Sequence, residues 1–123
     1  MPNTQLIAAT ALTGLTAAVH LFAGGPEYHP VIRNLLETAE YRALYSVLWH
    51  AVSVVLIVST LATGWMSLRP NLPLALTIGG IHLGWAGLFI AYGLGDLGTV
   101  WTLPQWVIFI AIPLLLFWGH KAR

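Results

Sequence analysis

Residues 43–66 read ALYSVLWHAVSVVLIVSTLATGWM, a run of 24 residues that contains no Asp, Glu, Lys or Arg. A helix needs about 20 mostly apolar residues to cross the hydrocarbon core of a bilayer. Three further windows meet this requirement, at residues 4–23, 72–92 and 101–118. Charged side chains fall only between these windows or beyond the last one. The sequence therefore predicts an all-α integral membrane four-helix bundle that forms a single domain.

The composition also indicates a membrane protein. Of the 123 residues, 58% are hydrophobic and only 7% are charged, whereas a soluble domain carries about 25% charged residues. The net charge of +1, without a basic run, gives no reason to expect nucleic-acid binding. The chain has no cysteine, which excludes disulfides, thiolate metal ligands and thiol catalysis. It also lacks a phosphate-binding loop and a serine-hydrolase motif. These absences give no support to the corresponding enzyme classes, and the sequence leaves open whether the protein is another kind of enzyme.

Glycine and proline residues mark the predicted ends of the helices. Residues 24–26, Gly-Gly-Pro, are expected to stop the first helix, because glycine accepts a left-handed turn and proline cannot continue the hydrogen-bond ladder. Residues 69–73 and 93–98 are interpreted as the turns after the second and third spans. Short connections of this kind are expected to make sequential helices antiparallel neighbours.

The longest connection, residues 25–42, contains a further helical pattern. Pro30 suits a first helical position, and apolar residues recur after it at helical spacing. These apolar residues are Val31, Ile32, Leu35, Leu36 and Ala39. The sequence therefore predicts a short interfacial amphipathic helix between spans one and two.

The distribution of positive charges predicts the orientation of the chain. With four spans, both termini lie on one side, which carries Arg69, Lys121 and Arg123. The other side carries Arg33 and Arg42. Because cytoplasmic loops have an excess of Lys and Arg, we expect both termini in the cytoplasm. The pattern resembles that of small four-span bacterial inner-membrane proteins, so a multi-pass protein of the bacterial inner (plasma) membrane is expected.

Five histidines are many for so apolar a chain. His20, His50 and His82 lie within predicted spans one, two and three, and an ionisable residue inside a span indicates a functional site by default. His29 and Glu27 lie in the predicted outer loop just beyond His20. The fifth histidine is in the C-terminal tail.

Each of the three intramembrane histidines lies on a helical face that is rich in small and hydroxyl residues. The faces are Thr13, Thr16, Ala17, His20 and Gly24; Ser46, His50, Ser53, Ile57, Thr60 and Gly64; and Ala75, Gly79, His82, Ala86 and Gly93. Small residues mark close helix packing in membranes, so all three histidines are expected to point into the bundle. From the helical rise, His50 and His82 are expected at similar depths of about 13 and 16 Å.

These positions suggest that the protein binds haem or a metal ion near its outer face. His50 and His82 would be the axial ligands of a haem b, with Gly79, Gly80 and Gly84 leaving room for the macrocycle. Such a cofactor would suit electron transfer or quinone chemistry.

A bare transition-metal ion, copper, iron or zinc, is the variant of this hypothesis. Its ligands would come from His20, His50 and His82, together with Glu27 and His29 in the outer loop.

Two functions of other classes stay open, besides the simple interpretation that each histidine hydrogen-bonds to a neighbouring Ser or Thr. The chain could be an accessory subunit of a larger membrane complex, with no chemistry of its own. It could also be a small proton or solute pathway. The partners that fit these hypotheses are the lipid bilayer, further copies of the chain, a larger membrane complex and a quinone.

Overall fold

The protein is an all-helical bundle, seen in a computed structural model that describes residues 3–121. Its helices are α1 (Thr4–Val19), α2 (Gly25–Leu35), α3 (Ala39–Leu68), α4 (Leu72–Leu97) and α5 (Trp106–Lys121), with a π-helical turn (His20–Gly24) between the first two. α1, the π turn and α2 form one continuous helix of 32 residues. The prediction of four helices in an all-α fold is therefore confirmed.

Three of the four helices, Thr4–Leu35, α3 and α4, are long and apolar enough to cross a membrane. α5 is apolar but shorter, with 16 residues. Large apolar side chains cover the outside of the bundle, and Phe22, Leu35 and Leu68 are each more than 70% exposed. The length of these three helices and the apolar surface of the bundle are compatible with a membrane protein.

The helix stop predicted at Gly24–Pro26 is wrong, because the first helix continues through these residues. The Gly25 N–H donates to the carbonyl oxygen of His20, which is the five-residue step of a π turn. Pro26 has no N–H, and its ring would crowd the carbonyl of Phe22 in a regular α-helix. The wider turn relieves this crowding, so the proline interrupts the regular hydrogen-bond pattern without ending the helix.

The separate interfacial helix predicted to begin at Pro30 is not confirmed. Pro30 lies inside α2, in the same continuous helix as the first apolar segment. The backbone leaves the helix at Leu36, which is extended, and Thr38 then caps α3 by accepting the N–H of Tyr41.

The connection between α3 and α4 follows the prediction, whereas the turn expected at residues 93–98 does not begin where predicted. Asn71 caps α4 by accepting the N–H of Leu74 at 2.9 Å. α4 runs through Gly93, and the chain reverses at Gly98, whose φ of 68° is left-handed. An added Cβ at Gly93 would lie 3.0 Å from the carbonyl oxygen of Thr99, so this glycine allows the returning chain to approach closely.

The helices are arranged in the order α3–α1–α5–α4. α1 packs on both α3 and α5, and α5 packs on α4, while α3 and α4 share few contacts. The expectation that α3 and α4 are close neighbours is therefore wrong. Glycines explain the close approach of α1 and α3, since an added Cβ at Gly14 would lie 3.3 Å from the methyl group of Thr60.

The core consists of two apolar clusters at different levels of the bundle. The lower cluster, near the end that holds Asn3 and Lys121, contains Leu6, Ala9, Met66, Ala75, Ile78, Ile112 and Leu116. The upper cluster contains Ala17, Leu56, Ala86 and Phe109, one residue from each of α1, α3, α4 and α5. At the lower end, the side-chain amide of Asn3 donates to the carbonyl oxygen of Gly119 at 2.6 Å and joins α1 to α5.

Candidate functional site

The faces predicted to point into the bundle are observed on α1 and α4. Thr13 and Ala17 are buried, and His20 on the same face is partly buried. All five residues of the predicted α4 face, including His82, are buried.

On α3 the interior face is rotated relative to the prediction. His50 is exposed, as is Ile57 at 44%. The buried positions are Ser53, Leu56, Ser59, Thr63 and Met66. The prediction that His50 points into the bundle is therefore wrong. The predicted face and the buried face both contain Ser53 and other hydroxyl residues, so small and hydroxyl residues alone do not show which of the two faces is buried.

Three of the five proposed ligands meet at the upper end of the bundle, around Trp49 of α3. The ring of His20 stacks on Trp49 with 4.6 Å between centroids, and the ring of His29 lies 5.8 Å from Trp49. His29 is also 5.3 Å from His50. We refer to His20, His29 and His50 as the upper histidine cluster.

The π turn is what places His20 and His29 on the same side. They are nine residues apart, and a regular α-helix turns by about 100° per residue, which would set them about 180° apart. Because the π turn holds one extra residue, the rotation between the two side chains is about 100° smaller. About 80° around the helix axis therefore separate them. The sequence did contain a signal for this turn, namely a proline, Pro26, within an otherwise helical segment, but it was interpreted as a helix stop.

Hydrogen bonds define which ring nitrogens carry a proton. His20 Nε2 lies 3.4 Å from the carbonyl oxygen of Trp49, which can only accept, so Nε2 is the donor. His29 Nε2 lies 3.1 Å from the hydroxyl of Ser46, whose own hydrogen is donated to the carbonyl oxygen of Arg42. Nε2 of His29 must therefore donate as well. In the neutral rings, Nδ1 of both histidines then carries a lone pair that can bind a ligand.

Glu27 is not brought to the upper histidine cluster. It is exposed and lies two residues before His29, about 200° around α2. Within residues 3–121, no group of three or more histidine or acidic side chains is arranged to hold a metal ion as the structure stands. A site made by the cluster therefore requires side-chain rotation, with the His29–His50 pair as its closest part.

His82 lies apart from the cluster, within the bundle. It is fully buried, and its Nδ1 donates to the carbonyl oxygen of Ile78 at 2.8 Å. Its ring contacts are to Trp85 at 5.5 Å and Phe109 at 5.8 Å.

The structure does not bring His50 and His82 together. Leu56 and Ala86 both belong to the upper apolar cluster and serve as the reference level. His50 is six residues above Leu56, and His82 is four residues below Ala86. At about 1.5 Å per residue, they are separated by about 15 Å along the bundle axis. The similar depths expected from the predicted spans are not observed, because the helices extend beyond those spans by different lengths.

The space expected for a macrocycle beside Gly79 is filled by α5. An added Cβ at Gly79 would lie 2.7 Å from Cζ of Phe117, so the glycine serves close helix packing. Gly80 and Gly84 face open space outside the bundle.

Comparison of the chain with family models, curated proteins and solved structures gives no match. Function is therefore inferred from the residues of the site.

Proposed function

We propose that this chain is an integral membrane protein that binds a transition-metal ion at the upper end of its bundle. His29 and His50 are the first two ligands, and His20 supplies the third after rotation of its side chain. The observation that carries the proposal is the 5.3 Å approach of the His29 and His50 rings, which belong to different helices.

The protonation pattern supports a metal site. A metal-binding histidine usually donates its second ring N–H to a carbonyl or another acceptor, which fixes the tautomer. His29 has this arrangement with the hydroxyl of Ser46. The lone pair of its neutral ring is then left on Nδ1, the nitrogen available for coordination.

The donor set favours copper or zinc over harder ions. Imidazole suits copper, zinc and iron, while magnesium and calcium prefer oxygen ligands. Among the divalent ions considered, copper binds most tightly to a given nitrogen site. Copper would supply one-electron chemistry, which suits electron transfer to a quinone, whereas zinc would have no redox role.

The proposed location is the bacterial inner membrane, with both termini in the cytoplasm and the histidine cluster near the outer face. The excess of Lys and Arg on the side of the termini supports this orientation. Reporter fusions at the C terminus and within the connection at residues 99–105 test it, because the two positions should report opposite sides.

The metal is tested on protein purified in mild detergent. We expect about one copper or zinc ion per chain by elemental analysis, and titration of metal-free protein should show affinity reduced at least about tenfold in His29→Ala and His50→Ala. His120→Ala is the control, since His120 lies in the last turn of α5, at the opposite end of the bundle. Equal affinity in all these variants, or no binding at micromolar metal, would overturn the proposal.

The same preparation tests haem b with His50 and His82 as axial ligands. That arrangement would require α3 and α4 to slide past each other by several residues relative to the structure. A Soret band that is lost in both His50→Ala and His82→Ala would favour haem over the bare ion.

A role as an accessory subunit is the second candidate function, and it is favoured by the exposed face of α4. An added Cβ at Gly80, Gly84 or Gly87 would meet nothing within 4 Å. Such small residues allow another membrane helix to approach closely. Purification with a fixed larger partner, together with a metal-free chain, would favour this function.

A further inference from the structure

A layer of buried polar side chains separates the two apolar clusters of the core. Its members are Thr13, Ser59 and His82, each no more than 1% exposed. Buried polar groups normally have hydrogen-bond partners, so the partners of this layer indicate whether anything else binds there.

Thr13, Ser59 and His82 lie at the same level on three helices. Each is three or four residues below the residue that its own helix contributes to the upper apolar cluster. These residues are Ala17, Leu56 and Ala86. This spacing corresponds to about 4.5–6 Å along the bundle axis. The three side chains therefore belong to one cross-section of the bundle.

Ser59 differs from the other serines and threonines of α3. The other five each donate to a backbone carbonyl of α3; they are Ser46, Ser53, Thr60, Thr63 and Ser67. The hydroxyl of Ser59 is buried and has no partner among residues 3–121. Its hydrogen is thus available to an acceptor.

His82 has the complementary requirement. Because its Nδ1–H is donated to the Ile78 carbonyl, Nε2 of the neutral ring carries a lone pair and can only accept. This nitrogen is also buried without a partner in the described part of the chain. An unused donor and an unused acceptor therefore occur at one level, on the two helices that share few contacts.

We propose that one water molecule binds inside the bundle between Ser59 and His82. It accepts a hydrogen bond from the Ser59 hydroxyl and donates one to Nε2 of His82. Thr13 supplies a third partner, because its hydroxyl donates to the carbonyl of Ala9 and its oxygen can still accept. A buried water typically makes about three hydrogen bonds to groups that otherwise lack partners.

The ligand is neutral because the layer contains no charged side chain. All Asp, Glu, Lys and Arg residues of the sequence lie outside the windows that cross this level. A charged ligand would be buried without a counter-charge, which is strongly unfavourable. Water also brings an exchangeable proton next to the most deeply buried imidazole of the bundle.

A crystal structure from a lipidic mesophase, at a resolution that shows ordered water, tests the proposal. In the wild type we expect a water peak about 3 Å from both Ser59 Oγ and His82 Nε2. The peak should be lost in Ser59→Ala and kept in Ser53→Ala, whose hydroxyl bonds to its own helix. Ser59→Thr, which retains the hydroxyl, should also keep it.

No peak in a wild-type map of that quality would overturn the proposal, as would a direct Ser59–His82 hydrogen bond or a peak that persists in Ser59→Ala. Nitrogen NMR of histidine-labelled protein in bicelles gives an independent measurement. The Nε2 resonance of His82 should shift between wild type and Ser59→Ala but not between wild type and Ser53→Ala. The same shift in both variants would also contradict a bound water.

Discussion

The imidazole of His29 lies 5.3 Å from that of His50, although 21 positions separate them and they belong to different helices. Two features produce this approach: the π turn in the first helix orients α2, and the hydroxyl of Ser46 on α3 holds the ring of His29. Each can be altered without changing a histidine.

Deleting Gly25 should convert the π turn into a regular α-helix and rotate His29 by about 100° away from α3. We expect metal affinity to fall to that of His29→Ala, with helix content by circular dichroism unchanged. Deleting Leu35, which follows His29 in α2, is the matched control and should retain affinity. Wild-type affinity in the Gly25 deletion would show that the π turn does not position the site.

Ser46→Ala removes the acceptor that fixes the tautomer of His29. We expect metal affinity to fall by about 10- to 100-fold, as is typical when the partner of a metal-binding histidine is removed. Ser67→Ala is the control, because Ser67 bonds to the Gly64 carbonyl at the opposite end of α3. Titration calorimetry measures the metal affinity of both variants. An equal loss of affinity in Ser46→Ala and Ser67→Ala would indicate a general structural effect instead.

Trp49→Ala should destabilise the upper end of the bundle, since its ring contacts both His20 and His29. Loss of a large, partly buried aromatic residue is expected to lower the free energy of unfolding by about 1–3 kcal/mol. Trp65→Ala, at a site 53% exposed, should cost much less. Denaturant unfolding in detergent compares them, and similar losses would mean that the contacts around Trp49 contribute little.

Gly79→Ala should lower the free energy of unfolding by about 1–3 kcal/mol, because the new methyl group overlaps the ring of Phe117. Gly87→Ala, where an added Cβ meets nothing within 4 Å, should be close to neutral. In the double variant Gly79→Ala with Phe117→Leu, the smaller side chain should restore part of the loss. If Gly87→Ala lowers the free energy of unfolding as much as Gly79→Ala does, the overlap with Phe117 is not the cause of the loss in Gly79→Ala.

The number and approximate positions of the apolar helices could be predicted from length and hydropathy. Their bounds could not, since the first helix continues to Leu35 and α5 begins at Trp106 instead of residue 101. The turn around Asn71 could be predicted, because a capping side chain and Pro70 coincide there. The interior face of α4 was also predicted correctly, since its small residues and His82 are all buried.

The parts that failed depend on relations between helices. Gly24–Pro26 has the local chemistry of a helix stop, but the π turn accommodates Pro26 and the helix continues, with His20 and His29 in contact with Trp49 of α3. The exposure of His50 follows from the side of α3 on which α1 packs, which no single-helix pattern contains. The separation of His50 from His82 likewise depends on how far the helices extend beyond the apolar windows.

The helix order α3–α1–α5–α4 divides the molecule into two hairpins, the first helix with α3 and α4 with α5, joined mainly along the contact between α1 and α5. All three residues of the upper histidine cluster belong to the first hairpin, whereas His82 and the exposed glycines of α4 belong to the second. The proposed metal site and the proposed face for another membrane helix therefore lie in separate halves, so a substitution in one half is expected to leave the other unchanged.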